Sequence, residues 1–116
     1  MEDSESVNIE SSRNGVGVVI KVVGRMDAES APEFEEACKS WVDQGIYQLV
    51  IDMGELAYVS SMGLRSFITV GQLAQQKGGN VYLCSMRGLV RQVFEITRLI
   101  GLFPVHNSVD SALAPQ

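Results

Sequence analysis

Three apolar runs constrain this chain more than any other feature. Residues 16–23 (VGVVIKVV), 47–53 (YQLVIDM) and 81–84 (VYLC) are rich in valine, isoleucine and leucine, and each is too short for a buried helix. Apolar residues at successive rather than alternate positions suit strands covered on both faces, as in a parallel sheet. Between and after these runs the period changes. Phe34, Ala37, Cys38, Trp41 and Val42 recur at intervals of three and four, as do Leu64, Phe67, Ile68, Gly71 and Ala74. Leu89, Val90, Val93, Phe94 and Thr97 form a third such stripe. Strands alternating with helices predict an α/β domain built on a largely parallel sheet.

The punctuation fits that alternation. Val7 and Ile9 alternate with polar neighbours, and residues 13–15 (RNG) are a hairpin signal. An opening antiparallel pair would make the sheet mixed. Ser30 and Glu33 have capping-box spacing, with Pro32 in the first helical turn and Gly45 as the stop. Gly54-Glu55 reads as a break after the second run, and residues 77–80 (KGGN) end the second helix. The third helix is expected to end near Gly101. A short strand at 103–105 and helical turns at 108–113 follow. The expectation is a mixed, mostly parallel central sheet of four to five strands with about four helices. One domain covers residues 7–113, between a flexible N-terminus at 1–6 and a tail at 114–116.

Composition excludes several functions. The formal net charge is −5 and no basic cluster is present, which argues against nucleic acid and against an anionic membrane surface as partners. No apolar run approaches the ~20 residues of a membrane span, and the acidic start MEDSE is no secretory signal. The expected location is the cytoplasm. One histidine, His106, and two separated cysteines, Cys38 and Cys84, cannot assemble a zinc site from His and Cys alone. The cysteines read as small buried apolar residues, with a single disulfide as the alternative. Asp27, Asp52 and Glu55 would bind a divalent ion only if they converged. Each has a plainer role, at a helix entry, a strand end and a loop. No metal or cofactor is expected.

Catalysis finds little support. A serine hydrolase would carry G-x-S-x-G at a strand-to-helix turn, but Val59 stands where the first glycine belongs, and His106 is the only candidate base. No phosphate-binding P-loop is present, and Gly15 and Gly17 precede a strand rather than follow one. What remains is the serine pair Ser60-Ser61, between a strand and a helix. One of them suits an N-cap. The same place suits a phosphate, because a helix N-terminus carries unpaired N–H donors and partial positive charge. Phosphorylation there would add about −1.5 to −2 charges.

Residues 49–65 (LVIDMGELAYVSSMGLR) resemble the central segment of the STAS domain, in its stand-alone bacterial form, the anti-sigma-factor antagonist. Residues 24–35 (GRMDAESAPEFE), 77–84 (KGGNVYLC), 99–105 (LIGLFPV) and 108–113 (SVDSAL) match further segments in the right order. The resemblance implies the STAS fold and a protein that is not an enzyme. It implies a partner-switching module whose unphosphorylated form binds a serine-kinase anti-sigma factor and releases that factor's target. The kinase would phosphorylate the module and a PP2C-type phosphatase would restore it. In the family the phosphoacceptor lies two residues before the glycine, which here is Gly63, so the implied acceptor is Ser61. Ser60 falls where some members carry aspartate and is a rival site. Asp27, Ser60, Met62, Gly63, Leu64 and Arg65 are the implied partner-binding residues, with Leu64 alternatively in the core. The fold also serves as an accessory subunit of lipid transporters, as a stress-sensing scaffold and as the tail of anion transporters. The hydrolase is the alternative of another class.

Overall fold

A computed structural model of the chain describes residues 8–14 and 17–113. The expected flexible N-terminus at 1–6, Val7, Gly15 and Val16 of the hairpin turn, and the tail at 114–116 lie outside the described residues. Among these residues five strands form one sheet: β1 (Asn8–Asn14), β2 (Gly17–Met26), β3 (Gln48–Val59), β4 (Asn80–Cys84) and β5 (Val105–His106). They lie side by side in chain order. β1 runs antiparallel to β2, with Asn14 opposite Gly17, and the other three pairings are parallel. The mostly parallel sheet expected from the apolar runs, made mixed by the opening hairpin, is therefore present.

The helices are α1 (Ala31–Asp43), α2 (Ser61–Gln76), α3 (Gly88–Ile96) and α4 (Val109–Leu113), with a 3₁₀ turn at Leu99–Leu102 after α3. The parallel steps from β2 to β3 to β4 are crossovers of one sense, so α1 and α2 fall on the same face and pack together. Each of the first three helices contributes one fully buried phenylalanine to the main core. Phe34 tilts against Phe67 at 4.8 Å between ring centroids, and Phe67 meets Phe94 edge-on at 5.4 Å. Alternate residues of the central strands serve opposite faces. Leu49 and Ile51 enter this core, whereas Val50 joins Cys84 and Ala112 beneath α4.

The first two helices stop in the same way. Gly45 sits at φ +90° and Gly78 at φ +84°, just past α1 and α2. Ile46 N–H donates to Trp41 O and Gly45 N–H to Val42 O; Gly79 N–H donates to Ala74 O and Gly78 N–H to Gln75 O. Both are Schellman closures, which satisfy the last carbonyls through a left-handed residue. Gly79 also passes so close to Tyr47 that a Cβ would lie 2.1 Å from its carbonyl oxygen. The third helix turns through Arg98 at φ +65°, where glycine would be expected.

Four local expectations are corrected. Gly54-Glu55 is not a break, because β3 runs on to Val59. Its register with β2 slips between Lys21 and Val23 and again between Gly24 and Arg25. These bulges let two long strands stay paired while bending. Around the kink, Gly54 N–H donates to Asp52 Oδ1 (3.0 Å), Arg87 Nε donates to Gly54 O (2.9 Å), and Lys21 meets Glu55 at 2.8 Å. The Ser30–Glu33 capping box does not form: Ser30 already has helical angles, and its hydroxyl turns back to Arg25 O (2.7 Å). The last strand and the third helix are displaced from their expected bounds, to Val105–His106 and to Ile96.

Candidate functional site

β2 and β3 end beside each other, and the chain leaves each strand for a helix on the same face. Ser60 N–H donates to Met26 O at 2.8 Å, which ties the two exits together. Ser60 is extended (φ −92°, ψ 175°) and caps α2: its Oγ accepts from Gly63 N–H at 3.2 Å. Its carbonyl accepts from Leu64 N–H at 2.8 Å. Ser60 is thus committed to helix initiation. Ser61 is the first helical residue and is exposed, and its hydroxyl has no hydrogen-bond partner among the described residues.

Gly63 explains the glycine of the S-S-x-G pattern. It is buried, and a Cβ there would stand 2.6 Å from Met26 O, 2.7 Å from Met26 Cγ and 2.9 Å from Val59 Cγ2. Only a residue without a side chain lets the first turn of α2 lie this close to the end of β2. Met62 and Arg65 are exposed on that turn, while Leu64 is half-buried and packs against the main core.

Asp27 follows β2 directly and organises the other exit. Its Oδ1 accepts from Glu29 N–H, Ser30 N–H and Ser30 Oγ–H, each at 3.1 Å, and its carbonyl receives Ala31 N–H. Its carboxyl is held below the ordinary carboxylate range, chiefly by the Ser30 backbone N–H, against some desolvation. Arg25 reaches Asp27 Oδ2 at 4.0 Å and stacks over the Tyr58 ring at 4.1 Å. Arg25 and Tyr58 are register partners in the parallel β2–β3 pair, which is why residues so distant in sequence meet.

The remaining candidates are not gathered here. Asp27, Asp52 and Glu55 address separate partners, namely the Ser30 turn, Gly54 N–H and Lys21. Among the described residues no group of three His, Cys, Asp or Glu side chains could hold a metal ion. His106 Nδ1 lies 3.0 Å from Ser111 Oγ, and its ring faces Tyr82, on the α4 side of the sheet. Ser61 and His106 are therefore not paired for nucleophilic catalysis. Cys38 and Cys84 are both free and buried; burial pushes both thiols up, that of Cys84 to about 12. One contact had no signal in the sequence. Buried Ser66 donates to Glu35 Oε2 at 2.5 Å, joining α2 to α1.

Residues 8–112 match the STAS domain family. The chain belongs to that family. Among its relatives, BtrV of Bordetella bronchiseptica, named as a candidate anti-sigma factor antagonist, is 37% identical over 78% of each chain. The crystal structure of an anti-sigma factor antagonist from Mycobacterium paratuberculosis has a TM-score of 0.84, covering 97% of this chain and 96% of that one at 24% identity. The Bacillus cell fate determinant SpoIIAA, in its phosphorylated form, has a TM-score of 0.71 over 92% of this chain and 96% of that one, at 18% identity. As a STAS domain of the anti-sigma factor antagonist type, the chain belongs to a regulatory rather than an enzymatic family. Among the described residues no helix is long and apolar enough to cross a membrane.

Proposed function

We propose that this STAS domain is the antagonist of a serine-kinase anti-sigma factor in a cytoplasmic partner switch. Unphosphorylated, it binds the kinase over the start of α2 and releases the kinase's target. Phosphorylation of Ser61 by that kinase, using ATP, ends binding, and a PP2C-type phosphatase restores it. The observation that carries this reading is the division of labour in the serine pair. Ser60 Oγ holds Gly63 N–H, whereas Ser61 Oγ is exposed and unengaged among the described residues.

The first-turn position also accounts for a switch without refolding. The leading N–H groups of a helix lack intrahelical acceptors, and the macrodipole favours negative charge there. A phosphate on Ser61 would sit at this favourable end, with the Arg65 guanidinium one turn further along. The domain keeps its shape while the docking surface gains bulk and charge. A differential affinity of about 3–4 kcal/mol changes occupancy more than a hundredfold. The phosphorylated SpoIIAA, which shares the fold, supports a phosphate as the natural modification.

The test is incubation with the kinase and ATP, followed by phosphopeptide mapping. Label is expected on Ser61, lost in Ser61→Ala and kept in Ser60→Ala. Label on Ser60 in the wild-type chain would overturn the assignment. Ser61→Asp should weaken the kinase complex, and unchanged affinity would refute repulsion as the means.

A further inference from the structure

The residues leading into the serine pair border an apolar groove that the fold does not fill. It measures about 140 Å³ and is lined by Ala57, Tyr58 and Val59 at the end of β3 and by Leu89, Val90 and Val93 of α3. β4 pairs with β3 only as far as Asp52, so this last stretch of β3 has no strand on its α3 side. Three large apolar side chains stand exposed around this corner: Leu89 at 71%, Met62 at 49% and Tyr58 at 39%. Leu89 lies in the first turn of α3, where a polar residue would serve the fold as well.

Two cations stand close to this corner: Arg65, one turn beyond Ser61, and Arg87, which precedes α3 and donates from Nε to Gly54 O at 2.9 Å. Glu95 is engaged by Arg91 at 3.0 Å. Arg25, stacked on Tyr58 at one wall of the groove, is itself paired with Asp27 at 4.0 Å. Arg65 has no ion pair among the described residues. An acidic protein thus presents an apolar groove with a positive border next to Ser61.

We infer that this groove is a second docking site for the same anti-sigma partner and takes a large apolar side chain from an acidic segment of it. The inference rests on the switch reading above. Tyr58 and Val59 run directly into Ser60 and Ser61, so a partner seated over α2 is already beside the groove. A positive border attracts an acidic segment and raises the encounter rate, and the groove then holds its apolar anchor. A phosphate on Ser61 would reverse the sign of this border as well as obstruct the turn.

Binding of the full chain to the purified serine-kinase anti-sigma factor tests this by calorimetry, at low and high salt. Leu89→Asp places a carboxylate in the first turn of α3, where a helix tolerates it, and its thermal unfolding should match the wild type. Its affinity should fall at least about tenfold. Arg65→Glu should lower the association rate and flatten the salt dependence. Leu102→Asp, an exposed apolar residue on the far side of α2, should bind like the wild type. Unchanged affinity of Leu89→Asp overturns the inference. So does a dimer of this chain, seen by sedimentation and abolished by Leu89→Asp, because it assigns the groove to a second copy. Binding that depends on Leu89 without any labelling of Ser61 would support the groove while refuting the phosphorylation switch.

Discussion

The two strand exits use the same residue types differently. At the end of β2, Asp27 and Ser30 are spent on the turn: Asp27 Oδ1 accepts from Glu29 N–H and Ser30 N–H, and the Ser30 hydroxyl shares its one proton between Arg25 O and Asp27 Oδ1. At the end of β3, one serine caps the helix and the next has nothing to hold among the described residues. Both exits start a helix on the same face, and one hydrogen bond joins them. One is built to be rigid. The other leaves a hydroxyl exposed on a rigid base, as a modification site requires. The same amino acid is engaged or left exposed according to whether the local backbone offers it a partner.

Five substitutions test that contrast. Gly63→Ala should do the most damage, because its Cβ would meet a backbone oxygen and two buried side chains rather than a movable surface group. A loss of roughly 3 kcal/mol in denaturant unfolding is expected; a loss below about 1 kcal/mol would mean the β2–α2 contact yields easily. Ser60→Ala should cost about 1 kcal/mol, the value of an N-cap, and Ser60→Asp should recover most of it.

Asp27→Asn isolates charge at the other exit, since the amide oxygen still accepts. The Asp27 carboxyl is depressed in the fold, so its contribution is complete above its unfolded value of 3.8 and is lost as pH falls through the folded one. The variant should therefore differ from the wild type near neutrality and converge with it in acid. Parallel acid-unfolding curves would show that the carboxylate's charge does not matter. Ser61→Ala should change stability by less than about 0.5 kcal/mol while abolishing modification. A larger loss would show that the hydroxyl has a structural role.

Much of the architecture was legible because it rests on local signals. The apolar runs gave the strands, the three-four spacing gave the helices, and Gly45 and Gly78 gave two of the stops. Asp27 at a helix entry and one serine as N-cap were also readable. The errors share a cause. Gly54-Glu55 looks like a turn in isolation, yet β2 alongside and Arg87 from beyond β4 hold it in a strand. The Ser30–Glu33 spacing looks like a capping box, yet Arg25 O offers the hydroxyl a closer partner. In each case a neighbour outside the local window decided the conformation.

The alternation of elements, the parallel sheet that alternation demands, and the serine pair at a strand-to-helix turn are all readable along the chain. Those features follow from side-chain period, backbone freedom and capping chemistry, all of which act within a few residues. Long-range packing sets which serine is consumed and which is exposed, why Gly63 must be glycine, and that Tyr58, Leu89 and Arg25 share one corner. Those facts depend on strand register and helix packing, which bring together atoms from residues 25 to 93 that no local pattern relates.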